Sequence, residues 1–326
     1  MIFSNEVLET GKPQEVPSMT ETLDAARRAF RDQLIDAGLL VPMGIDGLYG
    51  RGAVFEQIVE AVDAAIRRAI TSTYPTPPRV LRFPPVFPRE AFEKTDYIAS
   101  FPHLTGAVST FTGDDRAHRA LLADRAAGEP WDGHLNPAGT MLVSAACHPC
   151  YATLPSSLPG EGELLDIYGY CFRHEPAIDP ARMQAFRMHE IVCVGTPQQA
   201  QSHRDRWVER AEEVLTELGL DATATPANDP FFGRAGRLLA AGQRDEGRKT
   251  ELVVRLYGDL DDGTAVASAN CHGDHFGATF GITVDGATAH SACVGFGMER
   301  IALALLRTHG FDTGRWPSGV RAYLND

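Results

Sequence analysis

The sequence predicts an α+β fold, an antiparallel sheet flanked by helices, on three observations. Apolar residues recur at helical spacing near both ends of the chain. The middle and C-terminal parts hold several short runs of extended character. Neighbouring runs are joined by short turns rather than by the long crossovers that parallel strands require.

In 19–39, Leu23, Ala26, Phe30, Leu34 and Leu39 fall near one face of a helix, behind a leader over 1–16 that reads as flexible. A glycine-rich turn follows at 44–52. A second helix is expected over 53–70, using Phe55, Ile58, Val62, Ala65 and Ile66, and Pro75, Pro77 and Pro78 stop it. Residues 80–87 read as extended, 88–97 as a helix and 103–119 as a hairpin or loop. Strands are expected over 141–146, 167–173 and 190–195, then a long helix over 197–218. Further strands are expected over 251–260, 264–270 and 276–283, a short extended piece over 290–294, and a last helix over 297–309.

With 326 residues, 44% hydrophobic and 22% charged, the chain has an ordinary globular composition. No run approaches the roughly 18 to 20 apolar residues of a membrane span. The first twenty residues lack a basic start followed by an apolar stretch, so a cytoplasmic location is expected, with no membrane partner. The formal net charge of −13 is opposite to what a nucleic-acid-gripping surface uses. The six cysteines, 147, 150, 171, 193, 271 and 293, suit free thiols or metal ligands better than a disulfide framework.

Two segments carry chemistry. In Phe172-Arg173-His174-Glu175, Arg173 and Glu175 sit two apart at a strand end and so project from one face. Arg182 and Phe186 follow across a loop; an arginine fork suits phosphate, and a phenylalanine offers a stacking surface for a purine. In Gly295-Phe296-Gly297-Met298-Glu299-Arg300, two glycines allow a tight strand-to-helix bend. Arg300 then stands in the first helical turn, where anions are favoured.

Together these segments resemble motifs 2 and 3 of the class II aminoacyl-tRNA synthetases. The resemblance covers about residues 75–326, which would form the catalytic domain, with 1–74 as a leader and helices packing on it and 197–218 as a helical insertion. It implies that Arg173 binds the α-phosphate, Phe186 stacks under adenine and Arg300 holds the γ-phosphate. Arg173 and Arg300 would be the catalytic pair. Glu175 would face the adenine amino group, with Arg182 and its neighbour Met183 by the outer phosphates. Ser268-Ala-Asn270-Cys-His-Gly-Asp-His-Phe276 is similar to the stretch before motif 3 in seryl-tRNA synthetases. That likeness puts Ser268 with the ATP and Asn270 with the amino acid. Thr264 stands where a magnesium-binding acid is usual, so Mg²⁺ would come with ATP or be held by Asp261 or Asp262. The segment 81–88, with Pro84 and Pro85, looks like motif 1 and implies a homodimer.

Cys147, Glu190 and Cys293 match the zinc ligands of the atypical archaeal seryl-tRNA synthetases, which leave the fourth position open for the substrate amine. Cys150 rivals Cys147, and His189 rivals Glu190. Cys147-His-Pro-Cys150 could also be a redox pair, but such a pair opens a helix and 151–159 is rich in proline and serine. The short, acidic N-terminal stretch and the end soon after Tyr323 resemble the amino acid:[carrier protein] ligases, bacterial homologues of those synthetases. This likeness implies activation of glycine or alanine with ATP and transfer to the phosphopantetheine of an acyl carrier protein, without tRNA. A truncated tRNA synthetase and a silent regulatory paralogue are the alternatives. Arg204, Arg206 and Arg210 on the 197–218 helix would meet the acidic carrier.

Overall fold

The computed structural model describes residues 19–95, 97–227 and 248–325. The expected leader lies outside these residues. At the centre is a seven-stranded sheet in the order Ala222–Pro226, Lys249–Val254, Thr264–Gly273, His290–Gly297, Ala185–Gly195, Glu163–Phe172 and Arg79–Leu81. Every neighbouring pair is antiparallel except the last, where Arg79 lies opposite Leu165 in a parallel edge pairing.

One face of this sheet is covered by helices. Ala53–Thr73 buries Phe55, Ile58, Val59, Val62 and Ile66, the stripe its apolar spacing demands. Met298–His309 is buried along most of its length, which fits a helix apolar nearly all round. Pro197–Glu217 opens with Thr196 as cap, Pro197 in the first turn and Gln199 closing a capping box. It packs as a layer of the core: Trp207 is fully buried, and its indole N–H donates to Tyr74 Oη at 2.7 Å. The first helix, Met19–Asp36, contributes Phe30 and Leu34 to the same core, so the residues before 75 share one hydrophobic interior with the rest.

The opposite face is built up by smaller pieces. Val86–Pro88, Asn136–Leu142 and Ala107–Thr110 form a three-stranded sheet. Tyr151 stacks on Phe276 with ring centroids 4.0 Å apart.

Several expected elements differ. The helix expected over 88–97 is two short ones, Arg89–Glu93 and Tyr97–Ser100. The hairpin or loop region contains the strand Ala107–Thr110 and then a helix, Asp115–Ala127, capped by Asp114 and ended by Gly128 at φ 75°. That helix buries none of its residues, so it has no apolar stripe to announce it. The strand expected over 276–283 is the helix His275–Phe280. Its apolar run was ambiguous between the two periods, and Gly281 ends it at φ 69°. The glycine-rich turn closes a hairpin of Leu40–Pro42 with Tyr49–Arg51.

Candidate active site

One face of the central sheet carries the site, and strand alternation decides which residues reach it. On Ala185–Gly195, Phe186, Met188 and Glu190 point into a cavity of about 660 Å³. The residues between them turn to the helical side. There Arg187 binds Glu299 and Glu56, and His189 lies between Asp63 and Asp166 at 2.7 and 3.1 Å. His189 therefore serves the packing behind the sheet and does not replace Glu190. Burial opposes its charge, but its bonds to Asp166 and Asp63 outweigh that and raise its pKa.

The cross-strand register assembles the rest. Gly295 lies opposite Glu190 and Ser268, and Cys293 lies opposite Asn270. Ser268, Asn270, Gly295 and Cys293 all line the cavity.

At one end of the cavity stand the guanidinium groups of Arg173 and Arg300, with Arg182 outside it. Arg173 sits over the Phe186 ring at 5.4 Å, and its Nε donates to the Ser144 carbonyl at 3.1 Å. Arg300 donates to the carbonyls of Ala181 and Ala265 at 2.9 and 3.0 Å. Burial, with the charges of Arg173 and Arg182 close by, lowers the Arg300 pKa. Like charges held together in this way make a ready anion site. Glu175 and Met183 line the same end, whereas Arg182 is exposed and outside the lining.

The loop bearing Arg182 is held from below. Asp179 accepts from Tyr257 Oη at 2.7 Å and from the Ala181 amide at 2.9 Å, and Arg27 of the first helix is 3.3 Å away. The Gln184 amide donates to the Gly47 carbonyl of the hairpin at 2.8 Å. Gly47, at φ 79°, suits glycine: the backbone is left-handed, and a Cβ there would press on the Arg182 carbonyl oxygen at 3.0 Å.

At the other end the structure brings together Cys147, Glu190 and Cys293. Their ligand atoms lie within 4.8 Å of one another and all three residues are buried. Two thiols and one carboxylate suit a borderline-soft divalent ion, and three protein donors leave a coordination position for another group. The Ala146 amide N–H donates to Glu190 Oε1 at 2.8 Å and orients the carboxylate. The residues present thus fit a metal. Burial and the neighbouring Cys293 push the Glu190 pKa up to about 7. The Cys147 thiol donates toward Cys293 and is itself raised. Cys293 is lowered by that bond and by His272, whose Nε2 is 3.6 Å from its sulfur.

Cys150 does not join the cluster. It lies fully buried in a short helix, His148–Tyr151, and burial raises its thiol well above the usual range. The CxxC does open a helical turn, contrary to expectation, but an inert, fully buried Cys150 makes a poor redox partner. Thr264 stands at the start of its strand, outside the cavity lining. Asp261 is engaged with the Gly263 amide at 3.0 Å, and neither it nor Asp262 lines the cavity. A further acid that does line it is Glu251, opposite Ser268 and 3.0 Å from Lys249 Nζ. Sequence reasoning missed it because it opened an expected strand without a motif around it.

No family model matches the chain. Its fold is that of the class II aminoacyl-tRNA synthetases. The M. kandleri SerRS solved with A. aeolicus tRNASec superposes with a TM-score of 0.74 at 22% identity, covering 97% of this chain and 62% of that one. The Giardia lamblia prolyl-tRNA synthetase in complex with prolyl-adenylate gives 0.64 at 14% identity, over 88% of this chain and 53% of that one. Among curated proteins, amino acid–[acyl-carrier-protein] ligase 1 of Bradyrhizobium diazoefficiens is 40% identical over 315 residues, 96% of this chain and 92% of the relative. Ligase 2 of the same organism is 42% identical over 296 residues, 90% and 87%. The type-2 serine–tRNA ligase of Methanococcus aeolicus is 27% identical over 265 residues, and the match spans about half of its length, 49%. The chain belongs to the amino acid–[acyl-carrier-protein] ligases, a family of enzymes. Among the described residues, no helix is long and apolar enough to cross a membrane.

Proposed function

We propose that the chain condenses ATP with glycine or alanine into an aminoacyl-adenylate and passes the aminoacyl group to the phosphopantetheine thiol of an acyl carrier protein. The observation that carries this is the single sheet face on which a guanidinium cluster and a Cys147–Glu190–Cys293 triad stand at opposite ends of one cavity. The reading is supported by the family the chain belongs to.

Phe186 stacks under adenine, Glu175 accepts from its amino group, and Arg173 holds the α-phosphate while Arg300 and Arg182 meet the outer phosphates. Ser268 faces the ATP and its Mg²⁺, for which Glu251 rather than Thr264 is the acid at hand. Cys147, Glu190 and Cys293 would hold Zn²⁺, which would supply a Lewis-acid position for the free amine of the substrate. Asn270, hydrogen-bonded to Ser268 Oγ at 3.3 Å and to Cys293 Sγ at 3.7 Å, closes the amino-acid end.

With Arg173 on the α-phosphate, the substrate carboxylate attacks the α-phosphorus and pyrophosphate leaves. Arg173 stabilises the charge that builds on the phosphoryl oxygens, and positioning supplies much of the remaining rate. The carrier thiolate then attacks the adenylate carbonyl, and AMP leaves. No protein nucleophile is needed, because the mixed anhydride is already activated.

Amino-acid-dependent ATP–pyrophosphate exchange, followed by offering tRNA and a phosphopantetheinylated carrier separately, tests the proposal. Exchange with glycine or alanine and loading of the carrier alone is the expected result. Charging of tRNA but not of carrier would make the chain a truncated tRNA synthetase instead. No exchange with any amino acid would leave a regulatory paralogue. The segment 81–88 is proposed as the seam of a homodimer within the cytoplasm; a monomeric mass in analytical ultracentrifugation would remove that assignment.

A further inference from the structure

We propose that Met188 is the size gate of the amino-acid subsite, its thioether forming the floor beneath the substrate Cα and limiting the side chain to a methyl group. The inference rests on the activation reading above and deepens it. Along one strand face the order is Phe186, Met188, Glu190, each about 6.6 Å from the next at the ordinary strand rise. Phe186 lies under Arg173 at the phosphate end, and Glu190 belongs to the triad at the amine end. A substrate anchored by its amine at one end and reacting through its carboxylate at the other must carry its Cα over the residue between them.

Directly across from that residue, neither neighbouring strand carries a side chain. Gly297 lies directly opposite Met188 on one neighbouring strand, and Gly169 lies opposite it on the other. Gly295 lies diagonally beside it, and a Cβ built there would fall 2.7 Å from Met188 Cε and 3.4 Å from Glu190 Cγ. At Gly295 the space that a side chain would fill is therefore taken by one flexible thioether. The floor also carries no hydrogen-bonding group of its own at this position, so it selects by volume.

The experiment is ATP–pyrophosphate exchange with glycine, alanine and 2-aminobutyrate, using the zinc-supplied wild type, Met188→Ala and Gly295→Ala. The readout is the ratio of kcat/KM values within each protein, so a general loss of activity cancels. Met188→Ala is expected to raise the 2-aminobutyrate-to-glycine ratio by about tenfold or more, the usual worth of one methylene in a fitted pocket. Gly295→Ala is expected to push the thioether upward and lower the alanine-to-glycine ratio by a similar factor. If Met188→Ala does not fold, as judged by thermal melting, Gly295→Ala carries the test. Wild-type exchange with glycine or alanine, together with unchanged ratios in the folded variants, overturns the gate and leaves the activation reading standing. A wild type that exchanges with no amino acid overturns both.

Discussion

At the scale of single residues, Glu190 is the group whose environment says most. A carboxyl buried among two thiols has its pKa pushed up to about 7, since burial and the charge of Cys293 both disfavour ionisation. A metal binds the ionised form, so below pH of about 7 each unit of acidification costs about tenfold in affinity through this residue alone, as binding must expel its proton. The sign is a metal affinity that rises with pH and loses this contribution above about 7. Zinc affinity measured by chelator competition between pH 5.5 and 8 should therefore show a shallower pH slope, by about one, in Glu190→Gln. An identical slope in the two proteins would remove Glu190 from the ligand set. Arg173, Phe186 and Arg300, which line one cavity, stood out in the sequence because two glycines, an Arg-x-Glu and a following phenylalanine each keep a fixed local spacing. Cys147 against Cys150, and Glu190 against His189, did not. Neighbours along the chain compete for the same role there, and only strand alternation and burial separate them.

At the scale of elements, the helix Pro197–Glu217 joins the sheet to the surface. Its inner side is locked by a buried relay: Trp207 donates to Tyr74 Oη, Tyr74 Oη is 2.7 Å from His203 Nδ1, and His203 Nε2 is 3.0 Å from the Ile191 carbonyl, directly after Glu190. Its outer side carries the arginines expected to meet a carrier. Arg204 binds Asp205 and Thr250, and Arg210 binds Glu213 and Ser72. Arg206 is exposed, with its guanidinium 5.8 Å from the Tyr74 ring. Reversal of that exposed charge in Arg206→Glu should slow loading of an acidic carrier several-fold, with a weaker effect at high salt, and leave pyrophosphate exchange at the wild-type rate. Equal loading by both proteins at low salt would exclude the helix as a docking face. The helix was legible from its capping residues and period, whereas Asp115–Ala127 was not. A helix that buries nothing shows no hydrophobic period, and only Asp114 and Gly128 mark its ends.

At the scale of the whole molecule, the site is tied together by an ionic cluster behind the sheet. Glu299 is 1% exposed and accepts from both the backbone N–H and Nε of Arg187 at 2.7 Å, with Arg51 at 3.2 Å; Arg187 also reaches Glu56 on Ala53–Thr73. The acid beside Arg300 thus fastens the last helix to the central strand and, through Arg187, to the second helix. Removing one member leaves a buried charge without its partner, a loss of about 3–5 kcal/mol. Glu299→Ala is expected to lose that much in urea denaturation, and a loss below about 1 kcal/mol would show that the cluster does not hold the layers. Such links were invisible beforehand because Arg51, Glu56, Arg187 and Glu299 are far apart in the chain and follow no shared local pattern.

The sequence by itself determined the α+β class, the order of most elements and the two segments that carry Arg173, Phe186 and Arg300 to one cavity. Those follow from periodicity, capping and turn chemistry, which act within a few residues of one another. Tertiary structure alone decided that Cys147, Glu190 and Cys293 meet, that Glu251 rather than Thr264 faces the cavity, and that Met188 lines it between glycines of the two neighbouring strands. These depend on cross-strand register, and register is set by the packing of whole strands and not by the residues it brings together.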